Sequence, residues 1–280
     1  MSTYDLSHLI RARFPLIYIT TFEEERVLKH ITSVLTDKNK VKFPREIYTW
    51  TQSNGLQNLT NKKFVPDTSN PGKMLNFIKK YDKDAAFILY DFHVNFGLHN
   101  RVPEYSLIRQ IRDIIPDLKL GKVRKTIFFV SPELVIPETL QKEVTIYDFP
   151  LPTLAEIKLK LKSMINYNKN IESSNLDEDS IDKLCKAALG LTLQEAESAF
   201  ALAMVNDGKI DITDLPVILK EKVQIIKKTG ILEFIESNYS INDIGGLDNL
   251  KNWLSTIYNY LQPTYPKFFK MDNLCKAGFL

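Results

Sequence analysis

The stretch Ala85-Ala86-Phe87-Ile88-Leu89-Tyr90-Asp91 constrains the fold more than any other part of the chain. It is an unbroken apolar and aromatic run, set off by Asp82, Lys83 and Asp84, and it has no polar face. A strand of that kind belongs at the centre of a parallel sheet, covered by helices on each side. Asp91 then stands at the carboxyl end of the strand, on the edge where open α/β sheets bind ligands. In phosphate-handling folds a carboxylate so placed holds Mg²⁺. An Asp that merely closes a strand and starts a turn reads the same way, and on this stretch alone the plainer reading prevails.

The flanking sequence supplies the rest of such a sheet. Leu16 to Thr20 reads as a buried strand, Arg45 to Thr51 alternates as a second, and strands are predicted at 126–131 and 144–149. Thr21 and Glu24 have the spacing of a capping box, with Thr21 as N-cap. The helix that follows carries Val27, Leu28, Ile31, Val34 and Leu35 on one face. Asn54-Gly55 predicts a turn, Pro71 opens a helix, and a helix from about Glu104 is expected to stop at Pro116. After Pro152 the strand pattern ends. Helices are predicted at about 153–167, 178–189, 193–206 and 214–227, the third opened by a capping box from Thr192 to Glu195. The fold class is therefore α/β, a doubly wound parallel sheet of about five strands followed by a small helical lid. That layout resembles an AAA+ module. The expected division is 1–152 for the sheet domain, 153–227 for the lid, 228–240 for a connector and 241–280 for the start of a second module.

A working phosphate loop would follow the first strand as Gly-x-x-x-x-Gly-Lys-Ser/Thr. Here Ile19 leads into Thr20-Thr21-Phe22-Glu23-Glu24-Glu25, and none of the chain's glycines forms that pattern. Three glutamates at a helix start satisfy the dipole themselves and repel a polyphosphate. Asp91 is followed by Phe92 where a water-polarising Glu would be needed. Ser131 ends its strand where a polar sensor would sit, but Ser131-Pro132 is equally a turn start. Asp91 and Ser131 are thus read as positions of a degenerate site, expected at one sheet edge on neighbouring strands. No catalytic residue and no metal ligand is assigned.

Composition narrows the partners. Residues 1–150 carry 22 Lys+Arg against 17 Asp+Glu, an excess too small to predict a nucleic-acid groove. Cys185 and Cys275 lack neighbouring Cys or His for a zinc site. No segment approaches the ~20 apolar residues of a membrane-spanning helix, and the first residues lack signal or transit character.

Residues 240–251, Ser-Ile-Asn-Asp-Ile-Gly-Gly-Leu-Asp-Asn-Leu-Lys, resemble the entry segment of AAA-family ATPase domains. A Gly-Gly turn before an amphipathic helix, Leu247 to Leu261, would read alike. The resemblance implies that Asp243, Ile244 and Gly245 lie on the adenine side of a nucleotide. Lys276-Ala-Gly-Phe-Leu280 resembles the approach to a phosphate-loop strand, so the sequence is expected to be a copy truncated before that loop. The first module is similar to a particular group. Leu9 to Ile19 with Glu23-Glu-Glu-Arg26, Ile47-Tyr-Thr-Trp50, Asp91-Phe-His93, Ser131-Pro132 and Tyr147-Asp-Phe-Pro-Leu-Pro152 resemble the divergent, uncharacterised AAA-domain family of cyanobacterial and algal plastid genomes. That resemblance implies ATP and Mg²⁺ for complete members, with no cofactor expected for this chain as given. It implies a remodelling or assembly role, in the plastid stroma if plastid-encoded and otherwise in the cytoplasm. A non-catalytic AAA-like adaptor is the alternative. Protein partners or self-association are expected, because Leu250, Trp253, Leu254 and Ile257 would lack the sheet that normally covers them.

Overall fold

The computed structural model describes residues 5–97, 101–167, 177–228 and 246–261. The chain divides into two compact units, 1–150 and 151–280.

The first unit is built on strands β1 (Leu16–Thr20), β2 (Glu46–Thr51), β3 (Gly55–Asn58), β4 (Ala85–Tyr90), β5 (Lys125–Ser131) and β6 (Val144–Ile146). Their order in the sheet is β3-β2-β4-β5-β1-β6, and every pairing is parallel except β2 with β3. The all-apolar run is β4, one of the two middle strands of the sheet and buried at every position. Alternate residues serve opposite layers, as the pleat requires. Phe87, Leu89, Ile127 and Phe129 pack with helices α3 (Pro71–Lys80) and α4 (Tyr105–Leu120). Ala86, Ile88, Phe128 and Val130 pack with α1 (Leu6–Arg11) and α2 (Glu24–Thr36). The sheet is doubly wound.

Four local features depart from the sequence reading. The sheet has six strands, because the chain returns after Gly55 as a short antiparallel edge. Gly55 sits at φ +75, where a Cβ would also lie 2.8 Å from Thr68 Oγ1. The helix expected to stop at Pro116 continues through it to Leu120, since Leu118 is buried on the far side. The last strand closes at Ile146 rather than 149. Helix α2 begins at Glu24, with Glu23 in the N-cap position and no capping side chain. Thr21 instead accepts a hydrogen bond from the Glu23 N–H at 3.1 Å, so the expected capping box does not form.

One buried cation ties the layers together. Lys125, the first residue of β5, donates from Nζ to the carbonyls of Ile78, Lys79 and Tyr81 at 2.9, 3.2 and 3.0 Å. It thereby satisfies the carboxyl end of α3, whose last-turn carbonyls have no intrahelical donor.

The second unit contains helices α5 (Leu154–Tyr167), α6 (Glu178–Ala187), α7 (Leu193–Asp207) and α8 (Leu215–Lys228), with α9 (Asp248–Leu261) beyond. Ile157, Leu161, Leu184, Phe200 and Ile218 form the core of α5 to α8. The capping box of Thr192 and Glu195 is present in both directions at the start of α7. In α9, Leu254 is buried and Trp253 is 59% exposed.

Candidate functional site

The carboxyl edge of the sheet carries the candidate residues. Asp91 follows β4 directly and Ser131 ends β5, its hydrogen-bonded neighbour. The Asp91 N–H donates to the Val130 carbonyl at 3.0 Å, and the Thr21 N–H donates to the Ser131 carbonyl at 2.9 Å. Three strand ends, β1, β4 and β5, are thus stitched together at one place.

The Ser131 and Tyr18 hydroxyls there are both engaged within the fold. Ser131 is buried, and its hydroxyl lies 2.7 Å from the Tyr18 phenol and donates to the Glu133 carbonyl at 3.0 Å. Tyr18 also reaches the Glu133 carbonyl at 2.6 Å and accepts from the Val135 N–H at 3.2 Å. This knot fixes the loop after β5, and burial pushes the Tyr18 phenol above its ordinary pKa. Tyr18 was not singled out from sequence. Its strand position gave a buried residue, while its partner lies 113 positions away.

Asp91 adopts the left-handed conformation, φ 51 and ψ 25, which Asp tolerates better than most residues. Its side chain is 57% exposed, and its Oδ1 lies 3.8 Å from Nδ1 of His93. His93 is buried, and that nitrogen has no hydrogen-bond partner among the described residues. Glu24, in the first turn of α2, titrates above the ordinary carboxylate value. Its partial burial is the first cause and the negative charge of Asp91 the second. Tyr90, the buried end of β4, is likewise raised by burial, and by Glu24 in turn.

Glu23 is engaged within the fold. It is buried and paired with Arg26 at 2.8 Å, and Arg26 also donates to the Pro150 carbonyl at 2.7 Å. The Arg26 guanidinium stands 4.5 Å from the centroid of Phe149. Glu23, Arg26 and the segment after β6 therefore form one lock at this edge. Among the described residues no group of three or more His, Cys, Asp or Glu side chains is placed to hold a metal ion. Asp243, Ile244 and Gly245 lie outside the described residues.

Comparison with known proteins follows this geometry. Residues 2–149 match the N-terminal domain of SpoVK-like AAA ATPases, and residues 155–229 match the second domain of the same proteins. The chain is similar to proteins called uncharacterized AAA domain-containing protein ycf46. It is 34% identical to that of Guillardia theta over 89% of this chain and 46% of the relative. The corresponding figures are 33%, 89% and 47% for Trieres chinensis, and 32%, 90% and 48% for Pyropia yezoensis. The chain thus spans about half the length of these relatives. The solved structure of C. elegans PCH-2 aligns with a TM-score of 0.48 at 13% identity, over 79% of this chain and 67% of that one. No helix among the described residues is long and apolar enough to cross a membrane. The chain belongs to the SpoVK-like AAA ATPase family.

Proposed function

We infer that residues 1–150 are a non-hydrolysing AAA-like platform, working through protein contacts within an ATP-dependent remodelling or assembly machine. The ATP chemistry of that machine is assigned to a phosphate-loop module outside these residues. The observation that carries this reading is the composition of the β1–α2 edge. The residues there do not suit MgATP. A triphosphate would need free backbone N–H groups and a lysine at the helix start. The turn offers Thr20 to Glu25 instead, with no glycine and no lysine. Glu24 and Asp91 already repel one another, and a further polyanion would add to that repulsion. The Ser131 hydroxyl is committed to Tyr18 and Glu133.

The chain's similarity to ycf46 proteins of algae supports a plastid setting, stromal if the chain is plastid-encoded. Exposed apolar side chains support protein partners or self-association. Leu202 and Val205, one turn apart on α7, are 48% and 80% exposed, and Phe22 at the β1–α2 turn is 74% exposed. A purely adaptor role, with no ATPase in the same machine, is the second reading that these contacts favour.

The test is an ATPase assay with the 280-residue chain, paired with titration of MgATP. The expected result is no turnover, with Mg²⁺-dependent binding no tighter than about 1 mM. Turnover that disappears in Asp91→Asn would overturn the reading.

A further inference from the structure

Arginine is scarce in this chain, eight residues against 29 lysines, and every arginine lies at or before Arg124. Four of the eight meet at one cavity. Arg11, Arg13, Arg45 and Arg124, with Lys42 and Phe43, line a space of 140 Å³. Its place in the fold is set by the strand starts. Arg45 immediately precedes β2 and Arg124 immediately precedes β5, so the cavity lies at the amino edge of the parallel strands. The Asp91–Ser131 edge is a strand length away, roughly 20 Å.

The cations are held in place by groups that leave donors to spare. Arg124 donates from its backbone N–H and from Nη1 to the two oxygens of Asp84, at 2.6 and 2.9 Å. Its guanidinium stacks 3.6 Å from the centre of the Phe43 ring. Arg13 takes the left-handed conformation, φ 58, and donates to the Gly121 carbonyl at 2.9 Å. Arg45 donates to Thr126 Oγ1 at 2.7 Å and to the Ile10 carbonyl at 3.3 Å. Its Nε is buried and has no partner among the described residues. Arg11 and Lys42 are exposed beside them.

Among the described residues the lining carries five cations and no acid, and the neighbouring carboxylate Asp84 is already taken by Arg124. Burial lowers Arg45 to about 10, with Asp84 opposing the shift and Arg124 and Arg13 adding to it, so the group remains cationic at neutral pH. Such a gathering of guanidinium groups is self-repelling. It fits an anion of high charge, which planar forks of N–H donors can grip in bidentate fashion.

We propose that this cavity binds the phosphate groups of a small compound carrying a di- or polyphosphate. The charge favours phosphate over a monocarboxylate. The volume favours a compact group over a nucleic-acid strand, since a cavity of about 150 Å³ holds a molecule the size of benzene. Both free pyrophosphate and a nucleotide's phosphate tail offer this chemistry. The site is distinct from the Asp91 edge and needs no metal, because Mg²⁺ on the phosphates would compete with the arginines for the same charge.

The test is calorimetric titration of the 280-residue chain with inorganic pyrophosphate, without Mg²⁺ and at low ionic strength. ADP is titrated in a parallel arm. Binding tighter than about 1 mM is expected, weakened by salt. Arg45→Met is expected to weaken it at least about tenfold, the loss of one charge-assisted hydrogen bond. The pair Arg11→Glu with Lys42→Glu changes only exposed side chains and is expected to do the same without altering the circular dichroism. ADP displaced by pyrophosphate identifies the nucleotide tail as the source, and pyrophosphate binding alone identifies the free anion. No binding, or binding untouched by the exposed pair of substitutions, would overturn the proposal. So would tight binding of a short single-stranded RNA that pyrophosphate fails to displace. Because Mg²⁺ is absent and the variants lie at the opposite edge, failure here is separable from failure of the ATPase reading.

Discussion

The hydroxyls of Tyr18 on β1 and Ser131 on β5 lie 2.7 Å apart, and both converge on the carbonyl of Glu133. A residue placed where a sensor could stand is therefore part of a structural knot. Tyr18→Phe leaves the Ser131 hydroxyl with one partner and the Val135 N–H with none, at a cost of about 1–3 kcal/mol. Ser131→Ala leaves the bond from Tyr18 to Glu133 intact and is expected to cost less, about 0.5–1.5 kcal/mol. Urea unfolding followed by Trp50 fluorescence in a Trp253→Phe background measures both, since Trp50 is buried in the first unit. Additive effects of the two substitutions would show that the knot is not shared. The pH dependence has a definite sign. The folded pKa of Tyr18 lies above its ordinary value of 10.0, so the stability it contributes is full below about pH 10. It is lost as pH rises through the folded value, and Tyr18→Phe removes that part of the alkaline loss.

Much of this arrangement was legible in the residues. A run with no polar face reads as an inner parallel strand, and that reading put Asp91 at the carboxyl edge with Ser131 on the neighbouring strand, where both lie. The chemistry of the edge was less legible, for a physical reason. Ser131 and Tyr18 are satisfied by partners across the sheet, and sequence spacing carries no record of a contact over 113 positions. The same applies to Arg45 and Arg124, which look like ordinary strand flanks until the sheet brings their starts together. At α2 the local signal misled, because Glu23 is drawn inward by Arg26 and shifts the helix start past the Thr21 cap. The β3 edge was missed because four residues are too few to show a period.

Glu24 and Asp91 give a second prediction. Glu24 is raised above 4.5 by its partial burial and then by Asp91, so its neutral form is the one the fold favours. Its contribution is present below about pH 4.5 and is lost as pH rises through the folded value. A small penalty remains at neutral pH. Glu24→Gln is expected to stabilise the chain at pH 7 by at most about 0.2–1 kcal/mol, the scale of a solvent-screened charge pair. The sharper measurement is an NMR titration of the Glu24 carboxyl carbon, whose midpoint should fall in Asp91→Asn. An unmoved midpoint would mean that burial alone accounts for the shift, and the electrostatic argument against a polyphosphate at this edge would be lost.

Pro116 gives the last prediction, because here tertiary packing overrode a strong local rule. Proline inside a helix removes a hydrogen bond and crowds the preceding turn, at a cost of about 3 kcal/mol. Yet α4 runs four residues past it, to Leu120. Ile114 and Ile115 before the proline and Leu118 after it are buried at 1%, 6% and 1% exposure. Burying one such side chain is worth about 1.5–3 kcal/mol, enough to offset the proline when Ile114 and Ile115 already hold the preceding turn in place. The Gly121 N–H then closes the helix on the Asp117 carbonyl at 2.9 Å. Pro116 itself is exposed, so Pro116→Ala forfeits no packing and restores an N–H that can donate to the Arg112 carbonyl. Alanine also frees the unfolded chain, which offsets about 0.4–1 kcal/mol of the gain. The net expectation is a stabilisation of about 2–2.6 kcal/mol, read as a higher urea midpoint with an unchanged slope. Leu118→Ala should do the reverse and cost about 2–5 kcal/mol. If Pro116→Ala instead lowered the midpoint, the bend imposed by the proline would be what delivers Leu118 to the core, and the helix would depend on its own breaker.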